Sequence, residues 1–155
     1  MRFLLNSIIL ITLTYGCGFK VVKQSDLIDF YISEIETVGD KKINYNLKNK
    51  LIFKANNENN KEIDLNIITK KEKSIKEKNS SNEITKYEIN IQIRLNVNHK
   101  GKQIGILNLT DQIDYNVSSQ YSQTINNENQ AIKTLTNGLV DKIIKELSLL
   151  DMDDL

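Results

Sequence analysis

Few residues in this chain could carry covalent or proton-transfer chemistry, and they stand far apart. The 155 residues include one histidine, His99, and one cysteine, Cys17. A nucleophilic site needs an imidazole or similar base beside the nucleophile. His99 instead sits between Asn98 and Lys100 in a stretch that reads as a turn. Metal sites want clustered His, Cys or carboxylate ligands, and the carboxylates here are scattered along polar faces. Asp111 and Asp114 stand at odd separation on one predicted strand, so they point to opposite faces and cannot act as a pair. The six glycines are spread singly, which leaves no phosphate-cradling loop. The Asn-X-Ser/Thr triplets starting at Asn79, Asn108 and Asn116 are what chance returns in so Asn-rich a chain. The expectation is a non-catalytic protein with no metal and no cofactor.

Cys17 is the exception, because its surroundings suggest a use. Met1 and Arg2 make a short positive start, and residues 3–13 are apolar except for Asn6, Ser7 and Thr12. Such a run suits the core of a secretory signal and is too short for a permanent bilayer span of about 20 residues. Leu13-Thr14-Tyr15-Gly16-Cys17 resembles the bacterial lipobox, with Tyr15 bulkier than that pattern favours. In signals of that kind the thiol receives a diacylglycerol, and cleavage leaves the cysteine N-terminal and acylated. Acyl burial contributes about 0.8 kcal/mol per methylene, so two or more chains anchor stably. Gly18 replaces the acidic residue that retains such proteins at the inner membrane, which implies the periplasmic side of the outer membrane. The alternative is an ordinary secretory signal with an incidental cysteine, or a buried N-terminal strand. Without another cysteine, an internal disulfide is excluded.

The chain has a formal charge of +1, and removing Arg2 with residues 1–16 leaves the remainder near zero. Generic nucleic-acid binding needs a clustered positive field, so no nucleic-acid partner is expected. One charged segment stands out: Lys70, Lys71, Lys73, Lys76 and Lys78, diluted by Glu72 and Glu77. It reads either as a soluble hairpin tip or as a contact for an anionic envelope ligand, with Lys76 and Lys78 the candidate contacts.

The elements that would position these groups follow from periodicity. Residues 17–26 form a lipidated tether, 27–150 a single domain, and 151–155 an acidic tail. Residues 27–35 suit a first strand, with Ile28, Phe30 and Ile32 on one parity. Asp40 is a good N-cap for a helix over 41–55, where Ile43, Leu47 and Leu51 recur at helical spacing beside Tyr45 and Ile52. After an Asn-rich loop, Ile63, Leu65 and Ile67 alternate as a strand, and residues 70–81 read as a long solvated connection. Residues 87–97 alternate without a miss, from Tyr87 to Val97. Residues 98–101 make a hairpin turn, and the next strand begins at Gln103. Its parity slips between Ile106 and Leu107, which suggests a β-bulge, then holds to Tyr121. A last helix covers about 126–150, with Gly138 inside it. The predicted fold class is α+β, a single two-layer sandwich in the order β-α-β-β-β-α. It has about four mostly antiparallel strands, with two helices on the face of the odd-numbered residues of 87–97.

Cys17-Gly18-Phe19, the element order and the block from Tyr87 to Leu147 together carry a resemblance. That block contains Asp114-Tyr115-Asn116, Ser119-Gln120-Tyr121, Asn127-Glu128 and Ile143-Ile144-Lys145-Glu146-Leu147. It resembles the lipopolysaccharide-assembly lipoprotein family LptE. The resemblance implies a non-catalytic outer-membrane lipoprotein that plugs the lumen of the large β-barrel LptD. It also implies a role in lipopolysaccharide transport to the outer leaflet, and the same small sheet with two helices. The family's basic ligand contacts fall in regions that here read Asn79-Ser80-Ser81-Asn82 and Ile125-Asn126-Asn127. Neither is basic, so no ligand residue carries over. The alternative is a free periplasm-facing lipoprotein that binds a lipid or other envelope ligand.

Overall fold

The computed structural model describes residues 30–55 and 61–150. Cys17 and the expected signal, tether and acidic tail lie outside the described residues. The elements are β1 (Phe30–Val38), α1 (Lys41–Lys54), β2 (Lys61–Lys78), β3 (Ile84–His99), β4 (Lys102–Asn116) and α2 (Tyr121–Leu147). The sheet order is β1-β2-β3-β4, with β1 parallel to β2 and the other two pairings antiparallel. This is the expected α+β sandwich with a mostly antiparallel sheet. The odd-numbered residues of β3 face the helices: Ile89, Ile91, Ile93, Leu95 and Val97 are all buried. They meet Ile43, Leu47 and Leu51 of α1 and Leu139, Val140, Ile143 and Leu147 of α2 in one core.

Several local expectations are corrected. Residues 27–29 of the expected first strand lie outside the described residues, and β1 runs on to Val38, past the expected end at 35. Ser33 bulges between the pairs Ile32–Ile63 and Glu34–Asp64, so burial switches from Phe30 and Ile32 to Ile35. The Ser33 hydroxyl donates to the Asp64 carboxylate across the strands. In β4 the extra residue is Ile104, since Val97 pairs with Gly105 and Asn98 with Gln103. The bulge therefore lies at the start of the strand, and Ile106 points to the open face. β4 ends at Asn116 rather than continuing to Tyr121.

The largest correction concerns residues 70–81, which are not a connection. β2 continues to Lys78, and the turn is confined to residues 79–83. β1 pairs only as far as Ile68, so beyond that point β2 has β3 on one side and an open edge on the other. Lysines along an open edge oppose pairing with another chain, which accounts for their density here.

α2 begins at Tyr121, five residues ahead of the expected start, and ends at Leu147 rather than Leu150. Gln120 at the N-cap makes no side-chain cap bond. Thr124 Oγ1 instead accepts from the Ser118 N–H at 2.9 Å. The first turns point Tyr121 and Ile125 outward, so they leave no apolar period to read. At the other helix the expected cap is present: Asp40 Oδ1 accepts from Lys42 N at 3.1 Å and Ile43 N at 3.0 Å.

Candidate functional site

Lys73, inside the lysine-rich stretch of β2, reaches across the sheet on the helix side. Its ammonium lies 4.3 Å from the Tyr87 ring centre and 5.3 Å from that of Tyr115. The two rings stack with centroids 5.8 Å apart. Lys73 Nζ also meets Glu128 Oε2 at 2.7 Å, and the Tyr115 hydroxyl donates to the same oxygen at 2.8 Å. Nearby, Asn127 Nδ2 donates to the Asn116 carbonyl at 2.9 Å. This junction ties β2, β3, β4 and α2 together. It gathers Tyr87, Tyr115, Asn116, Asn127 and Glu128, residues that carry the sequence resemblance. Alternation and spacing could not reveal it, because Lys73 and Glu128 meet only through the sheet register.

Partial burial alone would raise the Glu128 carboxyl. The hydrogen bonds from Lys73 and Tyr115 and the charges of Lys73 and Lys71 outweigh it, so its pKa lies below the usual value. Burial likewise works against the charge on Lys73, yet Glu128 and Tyr115 push its pKa well up. Burial and the Glu128 hydrogen bond raise Tyr115, while Lys73 opposes them. At the α1 cap, burial raises Asp40, but the Ile43 N–H and the Lys71 ammonium 3.0 Å away bring it down.

A carboxyl lowered in the folded state contributes stability above its unfolded pKa and loses it as pH falls through the folded value. Stability should therefore be flat from pH 7 to about 5 in the contribution of these two groups and fall below about 4. Urea midpoints measured against pH check this, and Glu128→Gln should shrink the acid-side loss. Lys73 has the opposite sign, and its contribution goes only under strongly alkaline conditions.

The candidate ligand residues are already engaged. Lys76 Nζ lies 2.5 Å from Glu88 Oε2 and 3.9 Å from Asp114 Oδ1, and Lys78 Nζ donates to Asn82 Oδ1 at 3.0 Å. The rest of the segment is also paired: Lys70 with Glu72, Lys71 with Asp40, Lys73 with Glu128. As a field for an anion it is largely neutralised. Asn79, Ser80, Ser81 and Asn82 form the turn at the hairpin tip, and Ile125, Asn126 and Asn127 lie inside α2 rather than ahead of it.

Asp111 and Asp114 do face opposite sides. Asp111 points toward α2, where Oδ2 accepts from Lys142 Nζ at 2.8 Å, and Asp114 points to the open face. A Cβ on Gly138 would come 3.8 Å from Asp111 Oδ2, so this glycine sits where the helix meets β4. His99 Nδ1 lies 2.6 Å from the Glu62 carbonyl at the sheet end. Among the described residues no group of three His, Cys, Asp or Glu could hold a metal ion. No helix among them is long and apolar enough to cross a membrane.

Among the described residues, α1 is a helix whose lysines mostly lack a carboxylate partner. This helix carries Lys41, Lys42, Lys48, Lys50 and Lys54 and no acidic residue. Lys42 Nζ donates to Asn129 Oδ1 at 2.7 Å, Lys50 to Asn137, and Lys48 to the Ile35 carbonyl at 3.2 Å; all three acceptors are neutral. Among the described residues only Lys54 of this helix meets a carboxylate, that of Asp141. The bonds to Asn129, Asn137 and Asp141 span a constant 87 residues, so α1 and α2 run parallel, joined at every turn or second turn. At the unbonded step, Asn46 faces Lys133 across a groove of about 250 Å³ lined also by Lys42, Lys50 and Ile132.

No family model and no curated protein matches the chain. Solved structures do share its fold. Rare lipoprotein B from Shewanella oneidensis superposes with a TM-score of 0.56 at 14% identity, over 75% of this chain and 94% of that one. A minor lipoprotein from Acinetobacter baumannii gives 0.58 at 14% identity, over 78% and 91%. A putative lipoprotein from Caulobacter crescentus CB15 gives 0.55 at 14%, over 81% and 92%. The likeness spans nearly the whole of each of those chains, and at such identities it establishes the fold.

Proposed function

We propose that this chain is a non-catalytic lipoprotein of the outer membrane, anchored through Cys17 on the periplasmic side. We propose further that it works as an LptE-type partner of the β-barrel LptD in lipopolysaccharide transport. The observation that carries the reading is the fold. The same sheet and paired helices recur, over more than nine-tenths of their length, in proteins named as rare, minor and putative lipoproteins. The apolar start ending at Cys17-Gly18-Phe19 supports the anchor, and the residues resembling LptE gather at the Lys73–Glu128 junction. Both fit a compact domain held rigid at the end of a tether.

A plug must be rigid and polar outside. Ile91, Leu95 and Leu139 fill the space between sheet and helices, and the open face carries Glu88, Gln92 and Arg94. A free-standing carrier would instead need an apolar chamber for its lipid.

An affinity-tagged full chain, extracted in mild detergent, should co-purify with a very large β-barrel. Depleting it should lower surface lipopolysaccharide. Recovery as a free monomer, with surface lipopolysaccharide unchanged on depletion, would refute the proposal.

A further inference from the structure

We propose that the outer face of α1 docks on an anionic phospholipid surface. The inference rests on the lipid tether at Cys17, which would hold the domain within reach of a bilayer. The α1 sequence combines two things that a merely solvated helix does not need together. Its ridge opposite the core exposes large apolar side chains at helical spacing: Tyr45 is 69% exposed, Ile52 40% and Phe53 85%. Lysines border and interrupt that ridge, with Lys41 and Lys48 on one side, Lys50 on the other and Lys42 between Tyr45 and Phe53, and none of the four meets a carboxylate among the described residues. The hairpin lysines, by contrast, are mostly neutralised by carboxylates.

A basic helix with aromatic and aliphatic side chains on its wet face is the pattern of an interfacial helix. The apolar groups enter the headgroup boundary while the ammoniums meet lipid phosphates. The groove toward α2 adds Lys133, which has no partner among the described residues, beside Lys42 and Lys50. A second depression, of about 470 Å³, continues the surface past Tyr45 to Val38, itself 60% exposed. A second copy of the chain is a poor occupant, since two such faces would set lysine against lysine. The charge complement is therefore an anionic surface, and the exposed Phe53 favours one with an apolar interior.

The chain contains no tryptophan, so a single substitution gives a clean reporter. The lipidated full chain carrying Phe53→Trp would be reconstituted in vesicles of phosphatidylcholine, with or without one part in three of phosphatidylglycerol. With phosphatidylglycerol, its emission should move to shorter wavelength and be quenched by brominated lipid. Both effects should reverse at about 1 M salt, where the screening length falls to ~3 Å. Ile106→Trp, on the open face of the sheet, should not respond. Adding Lys41→Gln and Lys48→Gln should weaken docking about fivefold for each lysine removed.

Identical emission in both lipids overturns the proposal, as does a shift indifferent to the lysines. A Phe53→Trp response that appears only when a purified barrel or an acidic protein is added also overturns it, and assigns the face to that partner. If a barrel co-purifies while the vesicles give no signal, the proposed function stands and this inference falls.

Discussion

Replacing Gly39 with Ala should cost about 3 kcal/mol or more and lower the melting temperature by about 10 °C or more. Gly39 has φ +113°, a region that residues with a side chain rarely enter, and a Cβ there would lie 2.0 Å from the Thr69 carbonyl oxygen. The obstacle is the backbone of β2, held there by its pairing with β3 through Ile93, so it cannot rotate aside. Moving the chain away would also break the corner between β1 and α1. There the Asp40 N–H donates to Thr69 Oγ1 at 3.1 Å, and that hydroxyl donates to the buried Asn44 Oδ1 at 2.8 Å. Gly101 is the control. It too has positive φ, at +76°, but nothing lies within 4 Å of its added Cβ, so Gly101→Ala should cost only about 1 kcal/mol. Urea and thermal unfolding of both variants check this, and equal losses at the two positions would contradict the steric account. For a protein with about 5–15 kcal/mol in total, the Gly39 loss is severe.

Cys17→Ala should leave the domain folded and release it from the membrane. Two or more acyl chains give an anchor that no surface contact of one small helix can match. The variant should therefore move from the membrane to the soluble fraction, with an unchanged unfolding midpoint. Incorporation of labelled fatty acid should drop to background. If label still entered the Cys17→Ala protein, the anchor would lie elsewhere and the proposed localisation would lose its basis.

Some of this was written plainly in local pattern. β3 alternates so regularly that its buried face could be named residue by residue, and Asp40 with Ile43, Leu47 and Leu51 specifies the α1 cap and core stripe. What local pattern could not convey depends on partners distant in the chain. Residues 70–78 look like loop because they lack apolar support, yet they extend because β3 offers a hydrogen-bonding partner along its whole length. The first turns of α2 show no period because Tyr121 and Ile125 face water. The lysines of β2 attract notice because they crowd together, while those of α1 are diluted among Ile, Leu and Asn. Which set keeps its charge is decided by carboxylates such as Glu88 and Glu128, and these come from other strands and the far helix.

The constant spacing between α1 and α2 bears on how freely this surface can vary. Each step of the ladder asks only for one donor and one acceptor facing each other, and does not care which helix supplies which. Lys42 and Lys50 sit on α1 with Asn129 and Asn137 opposite, whereas at the unbonded step between them the asparagine, Asn46, stands on α1 and the lysine, Lys133, on α2. Exchanging the two members of a step would move a positive charge from one helix to the other and leave composition and net charge the same. The electrostatic face of the domain is thus transposable in single paired exchanges, independent of the core that fixes its shape.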